Sequence, residues 1–202
     1  MASTAPPKVG LIIGSQRVPR AGLQISEFVF QTIQRTNPSV TLSVIDLATW
    51  NLPICNEPGV PQQITDPELY THDHTKRWSA EISSCSAFVF VTPQYNWGYP
   101  ASLKNAIDYL FHEWKGKPGM IVGYGGHGGV KAVAQLKEVL GGLRMRPVEK
   151  TVGLAFPDRG YMGKAASGAD LELSAESDEG VWAKERGEIV QAFEELVGLM
   201  KA

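Results

Sequence analysis

The chain has 202 residues, enough for one domain that buries roughly 70% of its extended surface and needs no disulfide or metal to hold its core. Apolar residues make up 43%, charged residues 20%, and the formal net charge is −2. That balance excludes a disordered acidic chain, a basic nucleic-acid module and a long polar coil, and leaves a small molecule as the expected partner.

Residues 1–7 (MASTAPP) have no basic start and no apolar centre, and are expected as a flexible N-terminus to a single domain spanning 1–202. No stretch approaches the ~20 apolar residues of a membrane span, so no membrane partner is expected. Val9 to Ile13 is a continuous apolar run ended by Gly14, as in a strand covered on both faces. A helix follows over Gly22 to Arg35, with Ile25, Phe28, Val29 and Ile33 on one stripe, and Asn37-Pro38 stops it. Val40 to Leu47 alternates as a second strand, Tyr70 to Ser84 carries a weaker helical period, and Phe88 to Thr92 is a buried third strand. Pro100 to Phe111 is a helix with proline in its first turn, Met120 to Gly123 a fourth strand, Val130 to Leu143 a helix and Arg146 to Leu154 a fifth strand. Asp158 to Gly180 turns polar and is expected as a mobile loop before a last helix over Val181 to Met200. Five strands alternating with helices favour a three-layer α/β domain with a parallel sheet in the order 2-1-3-4-5.

Cys55 and Cys85 stand without CxxC or Cys/His ligand spacing and are expected as reduced thiols of a cytoplasmic protein. His72, His74, His112 and His127 lack partners at ligand spacing, so no metal is expected. There is no GxSxG elbow for a serine hydrolase.

Ligands of such a sheet bind at the carboxyl ends of the strands. Three loops there are rich in Gly and Pro, which make up nearly half of their residues. The first, Gly14 to Gly22, offers the Ser15 hydroxyl, two arginines (Arg17 and Arg20) and a helix N-terminus, a donor set suited to a phosphate. It lacks the Lys-Ser/Thr ending of a P-loop. The second, Pro93-Gln94-Tyr95-Asn96-Trp97-Gly98-Tyr99-Pro100, supplies flat aromatic faces and two amides for a planar heteroaromatic ligand. The third, Gly123-Tyr124-Gly125-Gly126-His127-Gly128-Gly129, contains a GxGxxG spelling. It follows the fourth strand rather than the first, so it fits backbone N–H groups at the edge of a bound ring better than a dinucleotide fingerprint. Trp50, Leu52 and Pro53, after the second strand, are placed to wall the ligand or simply to pack.

These blocks, with Ala101-Ser102-Leu103-Lys104-Asn105-Ala106-Ile107-Asp108 and Glu113-Trp114-x-Gly116-Lys117-Pro118, closely resemble the NADPH-dependent FMN reductase family, and within it the quinone and azo-dye reductases of fungal type. The likeness covers roughly residues 8–154. It implies a flavodoxin-like fold and an FMN phosphate held by Ser15, Arg17 and the N–H groups through Gly22. Pro93, Gln94, Tyr95, Asn96 and Trp97 would line the isoalloxazine, and Tyr124, Gly125, Gly126, His127 and Gly128 would reach its pyrimidine edge. Many relatives have Ser and Asn where this chain has Arg20 and Gly22, so Arg20 is open to the FMN phosphate, to the NADPH 2′-phosphate, or to neither. The implied reaction is ping-pong hydride transfer from NADPH or NADH through flavin N5 to a quinone, an azo compound or free flavin, in a homodimer. The chemistry is the cofactor's, so no protein nucleophile is required, and Asn96 and His127 are the side chains to consider for a catalytic part. The competing reading is a flavodoxin-like electron carrier or redox-sensing FMN protein acting through a protein partner, with the acidic stretch from Asp170 to Glu179 as its contact.

Overall fold

A computed structural model describes residues 7–202. The expectation for the N-terminus falls, apart from Pro7, outside the described residues. The elements in order are β1 (Lys8–Ile13), α1 (Gly22–Thr36), β2 (Thr41–Asp46), α2 (Leu47–Trp50), α3 (Asp73–Ser83), β3 (Ala87–Pro93), α4 (Ala101–Asp108), β4 (Pro118–Gly125), α5 (Val130–Gly142), β5 (Arg146–Pro147), β6 (Val152–Ala155), α6 (Arg159–Ser167) and α7 (Glu185–Lys201).

All strand pairs are parallel, and the sheet order is β2-β1-β3-β4-β5, with β6 also on β4. This is the expected 2-1-3-4-5 order of a flavodoxin-like domain. Side chains alternate across the pleat, so Val9, Leu11, Ile13, Val89 and Val91 join α1 and α7 in one core. Ile12, Phe88 and Phe90 join α3, α4 and α5 in the other. Trp114 fills the second core edge-on to Phe88, with centroids 4.9 Å apart. No helix among the described residues is long and apolar enough to cross a membrane.

Three expectations need correction. The fifth strand, expected over Arg146 to Leu154, is two short strands, because the carboxylate of Glu195 on α7 accepts the Glu149 and Lys150 N–H groups at 2.6 and 3.2 Å and draws them out of the ladder. The last helix begins at Glu185 rather than Val181. Trp182 takes a left-handed φ of 64° while its indole N–H donates to the Ala155 carbonyl at 2.7 Å, and these two constraints hold residues 181–184 outside the helix. The segment 158–180, expected as a mobile loop, starts with α6. Asp158 caps that helix by accepting the Tyr161 N–H at 2.7 Å, and Gly168 ends it at φ 75°.

Candidate active site

The loops after β1, β3 and β4 meet at the carboxyl edge of the sheet and enclose a cleft of about 500 Å³, within the usual range for small-ligand sites. No carboxylate among the described residues lines it.

The first loop leaves β1 at Gly14, whose N–H donates to the Val91 carbonyl at 2.9 Å and whose carbonyl accepts the Ser102 hydroxyl at 2.9 Å. From Gln16 to Gly22 no backbone N–H donates to any group among the described residues, and Ala21 at the start of α1 brings no side-chain cap. Six N–H groups at the start of a helix are therefore left with their bonds unmade, and Arg17, Arg20 and Ala21 of this run line the cleft, which is the chemistry of an anion site. Ser15 is 1% exposed and its hydroxyl sits 2.6 Å from the Tyr95 hydroxyl. The Arg17 guanidinium lies over the Tyr95 ring at 4.2 Å and has no ion-pair partner among the described residues.

Arg20 is different. Its guanidinium is clasped by Asp46 at the end of β2, at 2.7 and 2.5 Å, and donates to the Ser15 carbonyl at 2.5 Å. The Asp46 hydrogen bond raises the Arg20 pKa above its ordinary value. Burial pushes the Asp46 carboxyl up, but the hydrogen bonds from Arg20 and the Ala48 N–H outweigh it and hold the group below the ordinary carboxylate value.

In the second loop, Tyr95 and Gly98 exchange backbone hydrogen bonds of 2.8 and 3.0 Å around Asn96 (φ 47°) and Trp97 (φ 69°). Two positive φ values in sequence form a tight turn that Asn tolerates and Trp does not favour. The turn sets Asn96 on the cleft and leaves Trp97 69% exposed, with Lys131 5.7 Å from its ring. The Gln94 carbonyl oxygen accepts the Lys131 and Ala132 N–H groups at 2.9 and 3.4 Å. One side chain of the second loop thereby caps α5, whose own first residue has no side-chain cap.

In the third loop the phenol of Tyr124 reaches back to α1. A Cβ on Gly22 would stand 2.9 Å from its hydroxyl, so glycine at 22 is what admits the ring. Tyr124 is 4% exposed and burial pushes its phenol up, so the hydroxyl stays protonated. Gly129 must also be glycine, since at φ 72° a Cβ would meet the Tyr124 nitrogen at 2.8 Å. The N–H groups of Gly126 and His127 donate to nothing among the described residues.

Of the residues singled out from the sequence, Ser15, Arg17, Arg20, Pro93, Gln94, Tyr95, Asn96, Tyr124, Gly125 and Gly126 line the cleft together. Gly22 stands behind Tyr124, Gly128 packs on Gly153, and Trp97 and His127 point to solvent. Trp50 is drawn into the core edge-on to Trp78 at 4.9 Å, and Leu52 lines a separate hollow with Gln16 and Asn105. The sequence reading missed the opposite wall, made by Phe156 and by Met162, Ala165 and Ala166 of α6. The polarity of 158–180 hid it. The signal available was Asp158, a helix-starting residue type, with Gly168, a helix-ending one, ten residues on.

An anion loop, a planar-ligand slot and a neutral apolar wall at the carboxyl edge of a flavodoxin-like sheet define an α/β protein built for a phosphorylated planar cofactor. The pattern describing the NADPH-dependent FMN reductases matches residues 7–157. An NAD(P)H-dependent FMN reductase of Schizosaccharomyces pombe is 46% identical over 151 residues, 75% of this chain and 74% of its own. A quinone reductase of Pseudomonas putida is 31% identical over 137 residues, 63% of this chain and 67% of its own. Among solved structures, the flavoenzyme NAD(P)H:(acceptor) oxidoreductase FerB of Paracoccus denitrificans superposes with a TM-score of 0.62 over 96% of this chain and 97% of its own, at 23% identity, a likeness of fold. The chain belongs to the NADPH-dependent FMN reductase family. It is an oxidoreductase, with FMN and NAD(P)H as its cofactors.

Proposed function

We propose that this chain reduces quinones, and azo compounds or free flavin of similar shape, by two-electron ping-pong hydride transfer with NAD(P)H as donor. The observation that carries the reading is the run of N–H groups from Gln16 to Gly22, unpaired among the described residues, beside Arg17 at the edge of a cleft that no described carboxylate lines. That donor set fits a phosphate monoester, and the cleft beside it fits a ring. The relative from Pseudomonas putida named a quinone reductase supports the acceptor class.

In this reading Ser15, Arg17 and the N–H groups of the first loop hold the FMN phosphate. Pro93, Gln94, Tyr95 and Asn96 line the ring, and the N–H groups of Gly126 and His127 lie ready for its polar edge, where donors would stabilise negative charge. FMN, when bound, supplies the hydride chemistry. The protein's share is to bind, orient and exclude water. The apolar wall of Phe156, Met162 and Ala165 excludes water from one side of the cleft and favours a flat uncharged acceptor. Tyr124, held protonated by burial, keeps a neutral donor beside the phosphate loop.

We also place the enzyme in the cytoplasm as a homodimer. The reading rests on the two free thiols and on Val18 and Trp97, large apolar side chains 90% and 69% exposed, each next in sequence to residues that line the cleft. The electron-carrier reading would need the acidic stretch from Asp170 to Glu179 as its docking patch. Glu172, Glu176 and Asp178 pair with Lys164, Arg35 and Arg186 of the same chain, which offsets part of that acidity within the chain itself.

The deciding experiment is a steady-state assay of the purified protein with FMN. NADPH oxidation should accelerate several-fold when benzoquinone is added. An unchanged rate with quinone, azo dye and free flavin alike rejects the enzyme reading.

A further inference from the structure

Two arginines stand on the phosphate loop, and only one of them is available to an anion. The Arg20 guanidinium makes three hydrogen bonds within the protein, two to Asp46 and one to the Ser15 carbonyl. The side chains of the pair are 12% and 18% exposed. An anion approaching Arg20 meets the Asp46 carboxylate at nearly the same distance, and the two charges largely cancel. Arg17 carries no such counter-ion.

The loop has a mechanical need that Arg20 meets. Residues 15–20 make no backbone-to-backbone hydrogen bond among the described residues, so side chains must set the loop's shape. The Arg20 contact to the Ser15 carbonyl spans the loop end to end. Asp46 fixes the other side of Arg20 and is itself held by accepting the Ala48 N–H at 3.0 Å, where β2 passes into α2. The carbonyl of Ser15 and the N–H of Gln16 belong to one trans peptide and point in opposite directions. Holding that carbonyl toward Arg20 therefore aims the Gln16 N–H, the first donor of the array, away from the clasp.

We infer that Arg20 is a positioning residue and not a phosphate ligand: clasped by Asp46, it fixes the Ser15–Gln16 peptide so that the loop's N–H groups and Arg17 face the phosphate monoester of a flavin nucleotide. The inference rests on the reading that the cleft takes FMN, and it answers the question Arg20 raises in the sequence. The recognised charge is then supplied by Arg17 and the backbone, while β2 acts as the loop's anchor.

The test uses the apo-protein and measures dissociation constants for FMN and for riboflavin, which lacks the phosphate, by quenching of flavin fluorescence. Asp46→Asn, Arg20→Gln and Arg20→Lys should each weaken FMN by about tenfold or more and riboflavin by less than about twofold. Lys keeps the charge but not the planar fork. The double variant Arg20→Gln with Asp46→Asn should bind FMN no more weakly than the worse single variant, because the two groups act as one device. It leaves no unpaired charge, so it supplies the result if a single variant fails to fold. The inference is overturned if Asp46→Asn leaves FMN affinity unchanged or tightens it, since a released guanidinium would then be serving the phosphate. Retained affinity in Arg20→Lys, or equal losses for FMN and riboflavin, overturns it as well. A wild-type protein that binds FMN no better than riboflavin defeats the FMN reading itself, which is a separate result.

Discussion

At the scale of single residues, the loop after β1, proposed to hold the FMN phosphate, divides its work by what each side chain touches. Arg17 is exposed, carries no counter-ion among the described residues and is held over the Tyr95 ring, so its charge is available and its position is partly fixed before a ligand arrives. On the proposed reading, removing it deletes a charge-assisted contact worth about 1.5–3 kcal/mol, roughly ten- to a hundredfold in dissociation constant. Because the side chain is exposed and unpaired, the fold should not notice. Arg17→Ala is therefore expected to purify as a folded but largely colourless protein, with wild-type circular dichroism and little flavin absorption. Unchanged yellow flavin content would remove Arg17 from the site. The same logic separates Ser15, buried and bonded to Tyr95, whose loss would also loosen the contact between the first and second loops.

At the scale of elements, the second wall of the cleft depends on a segment that looks like linker. Trp182 is 4% exposed, stacks on Phe156 with centroids 5.9 Å apart, contacts Phe28 and Tyr161, and donates its indole N–H to the Ala155 carbonyl. It joins α1, β6 and α6. Trp182→Ala should destabilise the protein by about 3–5 kcal/mol, read as a lowered urea midpoint. Because Phe156 lines the cleft, it should also loosen FMN binding. A midpoint shift within about 1 kcal/mol would mean that the C-terminal segment does not brace the site. The alternation of strand and helix from Val9 to Leu143 is legible in the sequence because each buried strand is a continuous apolar run and each helix carries one stripe. The sheet-edge loops are legible because glycine, proline and hydroxyl or cationic residues cluster there. The segment between β6 and α7 is not, since α6 buries only Ala165 and shows no stripe. Its place is set by a cap and by an aromatic cluster drawn from four separate segments. The Arg20–Asp46 clasp is hidden for a similar reason: the partners are 26 residues apart, and only the β1–β2 register, which pairs Ile13 with Asp46, brings them together.

At the scale of the whole molecule, burial falls on one kind of titratable group more than any other. Of six tyrosines, five (Tyr70, Tyr99, Tyr109, Tyr124 and Tyr161) are raised above the ordinary phenol value, each chiefly by burial, and Tyr161 is pushed up to about 12. Tyr70 is raised further by the neighbouring Glu113 carboxylate, to which its hydroxyl donates at 3.0 Å. In the unfolded chain these phenols lose their protons near pH 10, while in the folded protein they keep them. Above pH 10 the folded state thus binds more protons than the unfolded state, and stability falls as pH rises. The buried pair Tyr70 and Tyr124 sets a slope of about 1.4 kcal/mol per pH unit for each. The buried Cys85 thiol, also raised, acts in the same direction from about pH 9. Lys117 acts in the opposite direction, because burial lowers its pKa. Its contribution is complete once the unfolded lysine has lost its proton near 10.4, so it does not offset the tyrosines above that point. The urea midpoint of the apo-protein should therefore hold nearly level from pH 7 to 9 and drop steeply between pH 10 and 12. A midpoint as high at pH 11.5 as at pH 9 would mean that the phenols ionise in place, and that the cores on the two faces of the sheet admit water where their packing excludes it.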